Sequence, residues 1–430
     1  MKRLAKKPSR NCKSRASPPT NRRRKTDSPA STSPFINQLH TATLCEPDDA
    51  SPRGLPQFVQ VGGIKLLYWL GENFRDLWGP LRLLQSHLML ASISALLAAL
   101  ATFWILRSRS MLLPTDKGRE HAAQGAVSKG KPTGAGVLFI PVLLVVSLLT
   151  VPWDPYMGVI YVSVLLAMLA GYLDDRSTTS WGELKKGTFD VLISGLVAWA
   201  LIRGQSHVEV WWPLYAPKMG AEAALDGTMG LLAPYLLSSW SYWAGATFLL
   251  FVSINTTNCS DGVDGLSGSL LVIAFIALGG ILYGVVGHVE SARYLLVPFN
   301  EMGASWAIVV TSSLGALMAY LWFNAHPSQL LMGDAGSRPL GLLLGIFSLE
   351  TGNPVIFFFV AFLILANGGT GLVKVLMLRI FKRSPIKVTC PLHDHFMKEK
   401  NWSPTQVLLR MVIMQAILTP IFLVICLKVR

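Results

Sequence analysis

Ten apolar segments, at roughly 88–106, 135–152, 156–173, 188–203, 238–254, 266–286, 303–323, 339–350, 354–378 and 404–427, follow one another through most of this chain. A helix needs about 20 mostly apolar residues to cross a bilayer, and most of the ten meet or approach that length. Inside hydrocarbon every backbone N–H and C=O must be satisfied within the protein, so successive segments of this kind fold as packed helices and not as an open sheet. The pattern predicts an all-α polytopic membrane protein of about ten transmembrane helices. The eighth segment is short and glycine-rich, and the ninth carries Asn367, Gly368, Gly369 and Gly371, which invite a break or kink. The charged share is 14% and the hydrophobic share 51%, whereas a soluble domain is about a quarter charged.

A formal net charge of +14 would point to nucleic acid if it were spread over the chain. It is concentrated instead in Met1 to Lys25, which holds eleven Lys or Arg and no acid, so no nucleic-acid partner is expected. Residues 1–57 are rich in Lys, Arg, Ser, Pro and Thr and lack apolar clusters, a composition that cannot bury enough surface to order itself. They are expected to form a disordered basic extension ahead of a membrane domain over 58–430. No apolar core follows the basic part closely enough for a secretory signal. From Phe58 to Leu84 apolar residues such as Ile64, Leu67 and Trp69 alternate with Lys65, Glu72 and Arg75, which predicts an interfacial helix before the first span. Five cysteines, odd in number and without metal-ligand spacing, read as free thiols.

Polar residues at the ends of apolar runs are where function is expected, because ionisable groups at membrane depth are costly. The stretch Asn255 to Leu266, NTTNCSDGVDGL, places Asn255, Asn258, Asp261 and Asp264 between two such runs. Asp174-Asp175, Asp334 and His393-Asp394-His395 occupy equivalent places. Taken singly, each is an ordinary solvated loop. Taken together on one membrane face, they make a site for hard Mg²⁺, which takes carboxylate oxygens and shares its other positions with water and phosphates. Lys and Arg accumulate in the loops that hold these motifs: Arg107, Arg109, Lys117, Arg119, Lys129 and Lys131 in one, Lys382, Arg383, Lys387, Lys398 and Lys400 in another. By the positive-inside bias those loops face the cytoplasm. Ten spans put both termini outside, against the most basic segment of all; the reading taken is that this tail is an upstream extension.

In chain order the motif loops read KPTGAG from Lys131, GYLDD ending at Asp175, NTTNCSDGVDG, FNAHPSQLLMGDAGS from Phe323 to Ser337, and CPLHDHF from Cys390. This series resembles the polyprenyl-phosphate N-acetylhexosamine-1-phosphate transferase superfamily, over about Ile64 to Arg430. The C-terminal loop PLHDHFMKEKNW is similar to that of its phospho-N-acetylmuramoyl-pentapeptide branch. The resemblance implies a cytoplasmic-membrane enzyme of bacterial peptidoglycan synthesis that uses Mg²⁺. Undecaprenyl phosphate attacks the β-phosphate of UDP-MurNAc-pentapeptide, giving lipid I and UMP. It further implies that Asp334 is a metal ligand, that Asp174 and Asp175 are the catalytic pair, with Asp174 at the lipid phosphate, and that His393 contacts substrate phosphate or sugar. Asn255, Asn258, Asp261, Asp264, Asn324 and His395 fall at substrate-binding positions. Lys131 is read equally as a phosphate contact and as part of the positive-inside bias, His326 is read as structural, and a homodimer is left open.

The chain departs from the family pattern at five places. Thr178 stands where a lysine is usual, with Lys185 and Lys186 further on as substitutes. Leu331 replaces a phenylalanine that would stack on uracil. Asp394 replaces the middle histidine, Met397 a glutamate, and Arg338-Pro339 small or apolar residues. Two other readings stay open at this level: a sister enzyme loading UDP-GlcNAc or a similar sugar for another envelope polymer, and a non-catalytic membrane homologue.

Overall fold

The structure, a computed structural model, describes residues 66–74, 79–118, 128–151, 154–177, 179, 181–213, 235–295, 297–382 and 388–428. The expected disorder of 1–57 and the positions Thr178, Arg383 and Lys387 lie outside the described residues.

Each of the ten predicted apolar segments falls on a helix. The described residues begin with a short amphipathic helix α1 (Leu66–Asn73) and a 3-10 turn (Gly79–Gln85), within the stretch where the interfacial helix is expected. There follow α2 (His87–Arg109), α3 (Gly136–Thr150), α4 (Pro155–Arg176) and α5 (Glu183–Ile202). A small antiparallel hairpin pairs β1 (His207–Val210) with β2 (Tyr235–Ser238), a feature the apolar pattern does not announce. Beyond it lie α6 (Ser239–Ser260) and α7 (Leu266–Ile281), the latter continued by a π-turn to Val286. Next come α8 (Val289–Leu295), α9 (Gly303–Asn324) and α10 (Asp334–Glu350). The ninth predicted segment is broken into α11 (Ile356–Val360), a single turn at Phe362–Ile364, a π-turn at Leu365–Gly369 and α12 (Thr370–Phe381); the helix is interrupted at Ala361, and Asn367 to Gly369 lie in the π-turn of a helix that continues from Phe362 to Phe381. Finally α13 (Leu392–Glu399) carries the histidines and α14 (Pro404–Lys428) closes the chain.

The architecture is all-α and polytopic. Among the described residues six helices are long and apolar enough to cross a membrane, and Gly136–Thr150 is apolar but shorter. Three more of the predicted segments, on α5, α6 and α10, carry polar residues at one end, and these are the residues that build the site. Side chains such as Leu96, Leu100, Val162, Phe248, Trp322 and Val424 are exposed on the outer faces of the helices, an exterior suited to lipid and not to water.

At the centre stands α10, buried at every residue from Asp334 to Glu350 and packed against α4 and α6. Its brevity is explained by this position: no part of it faces outward. At its C-terminal end Glu350 accepts from Arg203 Nη2 at 2.8 Å, and its backbone carbonyl accepts from Asn300 Nδ2 at 2.8 Å. Trp211 Nε1 donates to the Thr351 carbonyl at 2.9 Å. At about 1.5 Å of rise per residue these anchors lie roughly 25 Å from the other end, where the motif residues gather.

Candidate active site

The N-terminus of α10 is held by a carboxylate from another helix. Asp175, on the last turn of α4, accepts from the backbone N–H of Asp334 at 3.1 Å and of Ala335 at 3.0 Å. Those two N–H groups have no partner within their own helix, so a carboxylate there both satisfies them and meets the positive end of the helix dipole. Gly333, just ahead, has φ +68°, and a Cβ on it would collide with Asp175 Oδ2. The turn that delivers Asp334 therefore requires glycine.

Asp334 projects its own carboxylate into a ring of charged groups. Lys186 Nζ, from α5, bridges Asp174 Oδ2 at 2.5 Å and Asp334 Oδ2 at 3.1 Å. Asp174 is further fixed by Trp181 N–H, which donates to its Oδ1 at 2.6 Å. Burial alone would lower the pKa of the Lys186 ammonium, but the carboxylates of Asp334 and Asp174 outweigh it and hold the group charged, above the usual lysine value. On the other side Arg338, one turn along α10, donates from Nε to Asp334 Oδ2 at 3.2 Å and from Nη1 to Asp190 Oδ1 at 2.6 Å. In the orientation that satisfies both neighbours, Asn258 donates to Asp334 Oδ1 at 3.2 Å and accepts from Arg338 Nε at 3.2 Å. Asn255 Nδ2 donates to Asp190 Oδ2 at 3.1 Å.

A second cluster forms around Asp264. Its Oδ2 accepts from the Ser328 backbone N–H at 3.1 Å and lies 3.0 Å from His326 Nδ1; its Oδ1 accepts from Ser328 Oγ at 2.8 Å. Lys131 Nζ donates to Ser328 Oγ at 2.9 Å and stands 3.8 Å from Asp264. His326, read from sequence as structural, is thus part of this cluster. Asn324 is almost fully buried; its Oδ1 accepts from Gly265 N–H and its Nδ2 donates to the Leu330 carbonyl. Its amide shapes the loop by tying the Asp264 turn to the strand-like segment before Asp334. That segment is paired with the KPTGAG loop, Leu331 N–H donating to the Pro132 carbonyl and Ala135 N–H to the Leu331 carbonyl, so the two clusters are joined by backbone.

The third element is α13. His393 is buried, and both its backbone N–H (2.9 Å) and its Nδ1 (3.0 Å) meet Asn367 Oδ1, in the π-turn. An amide oxygen only accepts, so Nδ1 carries a proton; Nε2 stands 3.8 Å from the Asp394 carboxylate. Nε2 rests against Gly262, where any Cβ would collide with the imidazole. Asp394 is buried beside it, and His395 is partly buried one residue on. Asp261, at the C-cap of α6, lies in the same loop as Gly262 and Asp264.

The site thus contains residues that pattern reading passed over. Asp190 lies inside an apolar run, and the one available signal was the cost of a carboxylate there. Lys186 was seen only as a substitute for the family lysine, and Arg338 only as a departure.

Among the described residues no group of three or more His, Cys, Asp or Glu side chains is arranged as a ready-made metal cage. Mg²⁺ does not require one, since it is usually held by one or two carboxylates together with substrate phosphates. Two carboxylates from different helices converge on one cation, the Lys186 ammonium, which marks where a positive charge is accommodated between them. The donor chemistry fits a hard divalent ion.

Comparison with known proteins bears on most of the chain. Residues 157–352 match the family model described as Glycosyl transferase family 4. A phospho-N-acetylmuramoyl-pentapeptide-transferase of Treponema pallidum is 43% identical over 350 residues, covering 80% of this chain and 91% of the relative. Relatives bearing the same name in Brachyspira hyodysenteriae (29% identical, 68% of this chain and 80% of the relative) and Aliarcobacter butzleri (26%, 85% and 100%) are also similar.

Proposed function

The chain belongs to the phospho-N-acetylmuramoyl-pentapeptide transferase family, and from that premise we propose that the charged ring at the head of α10 is where its reaction takes place. The enzyme is a multi-pass membrane phosphoglycosyl transferase of peptidoglycan synthesis. It moves phospho-MurNAc-pentapeptide from UDP-MurNAc-pentapeptide to a polyprenyl phosphate. An oxygen of the lipid phosphate forms a bond to the β-phosphorus, the bond from that phosphorus to the bridging oxygen breaks, and UMP leaves with the electron pair. No covalent work is asked of the protein; it must gather three phosphate groups and offset their charge.

The observation that carries this reading is the meeting of Asp174, Lys186 and Asp334, from three helices, within 2.5 and 3.1 Å of one ammonium. We assign Asp334 as the principal ligand of Mg²⁺, with Asp174 beside it, and the ion when bound would neutralise charge on the pyrophosphate. Lys186 offers the same charge from the protein itself and can pass from the carboxylates to an incoming phosphate. Asp174, oriented by Trp181, positions the lipid phosphate and takes its proton if it arrives protonated. Asp175 keeps α10 in place. His393 and the Lys131–Asp264 cluster receive the sugar nucleotide. Clustered Lys and Arg in the same loops support a cytoplasmic orientation, and undecaprenyl phosphate is the expected lipid.

The test is UMP release by the purified protein with undecaprenyl phosphate and, separately, UDP-MurNAc-pentapeptide or UDP-GlcNAc, with and without Mg²⁺. Release only with the muramoyl nucleotide and only with a divalent ion is expected. Preference for UDP-GlcNAc would move the protein to the sister activity.

A further inference from the structure

Nothing in the reaction just described calls for a buried ion pair between Arg338 and Asp190. Their exposures are 4% and 2%. A buried pair of this kind gives no dependable stability over well-packed apolar side chains of similar volume, because desolvation of both charges offsets their attraction. Its placement is more informative than its strength. The guanidinium is a fork whose Nη1 lies 2.6 Å from Asp190 Oδ1 and whose Nε lies 3.2 Å from Asp334 Oδ2. Asp190 is aimed at that fork by Asn255 Nδ2, 3.1 Å away. Asp334 Oδ2 is thus claimed by a fixed cation, and that cation is in turn claimed by a second carboxylate. Arginine remains charged in any protein environment, so the competition cannot be relieved by loss of a proton.

We propose that Arg338 and Asp190 together set how tightly Asp334 can hold a divalent cation. The inference rests on the reading of Asp334 as the metal-holding carboxylate. Arg338 competes with the ion for Asp334 Oδ2; Asp190 moderates that competition by drawing the guanidinium toward α5. Both are positioning residues, since neither is assigned a contact with substrate. An ion held loosely by the protein stays available to the pyrophosphate oxygens, which supply its remaining ligands during the reaction.

The two residues therefore make opposite predictions, and the double variant, whose net charge equals the parent's, separates direct competition at Asp334 from the general field of the two charges. The experiment is Mn²⁺ binding to the detergent-purified full chain, read from the electron paramagnetic resonance signal of free Mn²⁺ without substrate. Asp190→Asn leaves the guanidinium wholly on Asp334 and is expected to weaken Mn²⁺ binding about tenfold. Arg338→Met removes one of the two cations on Asp334 Oδ2, leaving Lys186, and is expected to tighten it by about the same factor. Because Arg338→Met leaves Asp190 buried without its partner, the double variant Asp190→Asn/Arg338→Met serves as the companion with no uncompensated charge. It too is expected to bind Mn²⁺ more tightly than the parent. Equal or weaker binding by the double variant overturns the inference, as does a shift in the same direction for both single variants. A parent protein with no saturable Mn²⁺ site overturns the metal reading itself.

Discussion

Asp175 and Asp334 are joined not side chain to side chain but carboxylate to backbone: both oxygens of Asp175 are occupied by the first N–H groups of the helix that Asp334 begins. The adjacent aspartates of α4 therefore have different work. Asp174 faces Lys186, and Asp175 faces the end of α10.

Asp175→Asn should expose that division. An amide has one acceptor oxygen and turns an NH₂ toward an N–H donor, leaving one buried group unsatisfied at a cost of about 1–3 kcal/mol. The expected result is a lower thermal unfolding midpoint together with lost turnover, whereas Asp174→Asn loses turnover with a smaller stability change. Identical unfolding midpoints for the two variants would count against the assignment.

Asp334→Asn should reduce turnover by about a thousandfold or more while the protein still inserts in the membrane, since an amide lacks the charge to hold Mg²⁺ against water. UMP release measured over a range of Mg²⁺ concentrations checks this; recovery at high Mg²⁺ would indicate that another group is the principal ligand.

Gly262→Ala acts on His393 without touching its chemistry. The added methyl must displace the imidazole, and misplacement by about 1 Å can cost on the order of a hundredfold in rate. Turnover should fall while UMP affinity, measured by calorimetry, changes little. Near-normal turnover would mean that the imidazole position is unimportant.

Leu331→Phe tests the departure nearest the expected uracil position. The backbone of Leu331 is fixed on both sides by the KPTGAG loop, so the substitution changes only the side chain. If uracil lies against it, stacking adds about 0.5–1.5 kcal/mol, a two- to tenfold tightening of UMP by calorimetry. An unchanged affinity would place the base elsewhere.

The helices were legible because each apolar run had to bury its backbone polar groups. The irregularity at Asn367 to Gly369, a π-turn, was legible because those residues are costly in a regular span; the interruption at Ala361 was not. Asp174, Asn258 and Asp334 were legible as polar residues at the ends of such runs, and the structure brings them to Lys186 and Arg338. What could not be read was pairing over distance. Asp190 and Arg338 are 148 positions apart, and neither residue type shows in isolation that the other neutralises it. Asn255 and Asn324 carried the composition of a binding pocket, yet their amides are engaged by Asp190 and by backbone, a matter of side-chain direction that spacing does not encode. The β1–β2 hairpin was missed because its strands are only four residues each and are separated by residues 211–234 instead of a short turn.

The anchoring of α10 has a mechanical corollary. With Asp175 holding its first turn and Arg203 its last residue, the central helix is pinned at both ends, and sliding or rotating it would break charge-assisted hydrogen bonds at each. The His393 imidazole has a separate mount, its two bonds to Asn367 in the π-turn at Leu365–Gly369. A compound that wedges between His393 and Gly262 would displace the imidazole while leaving the charged ring at the head of that helix intact.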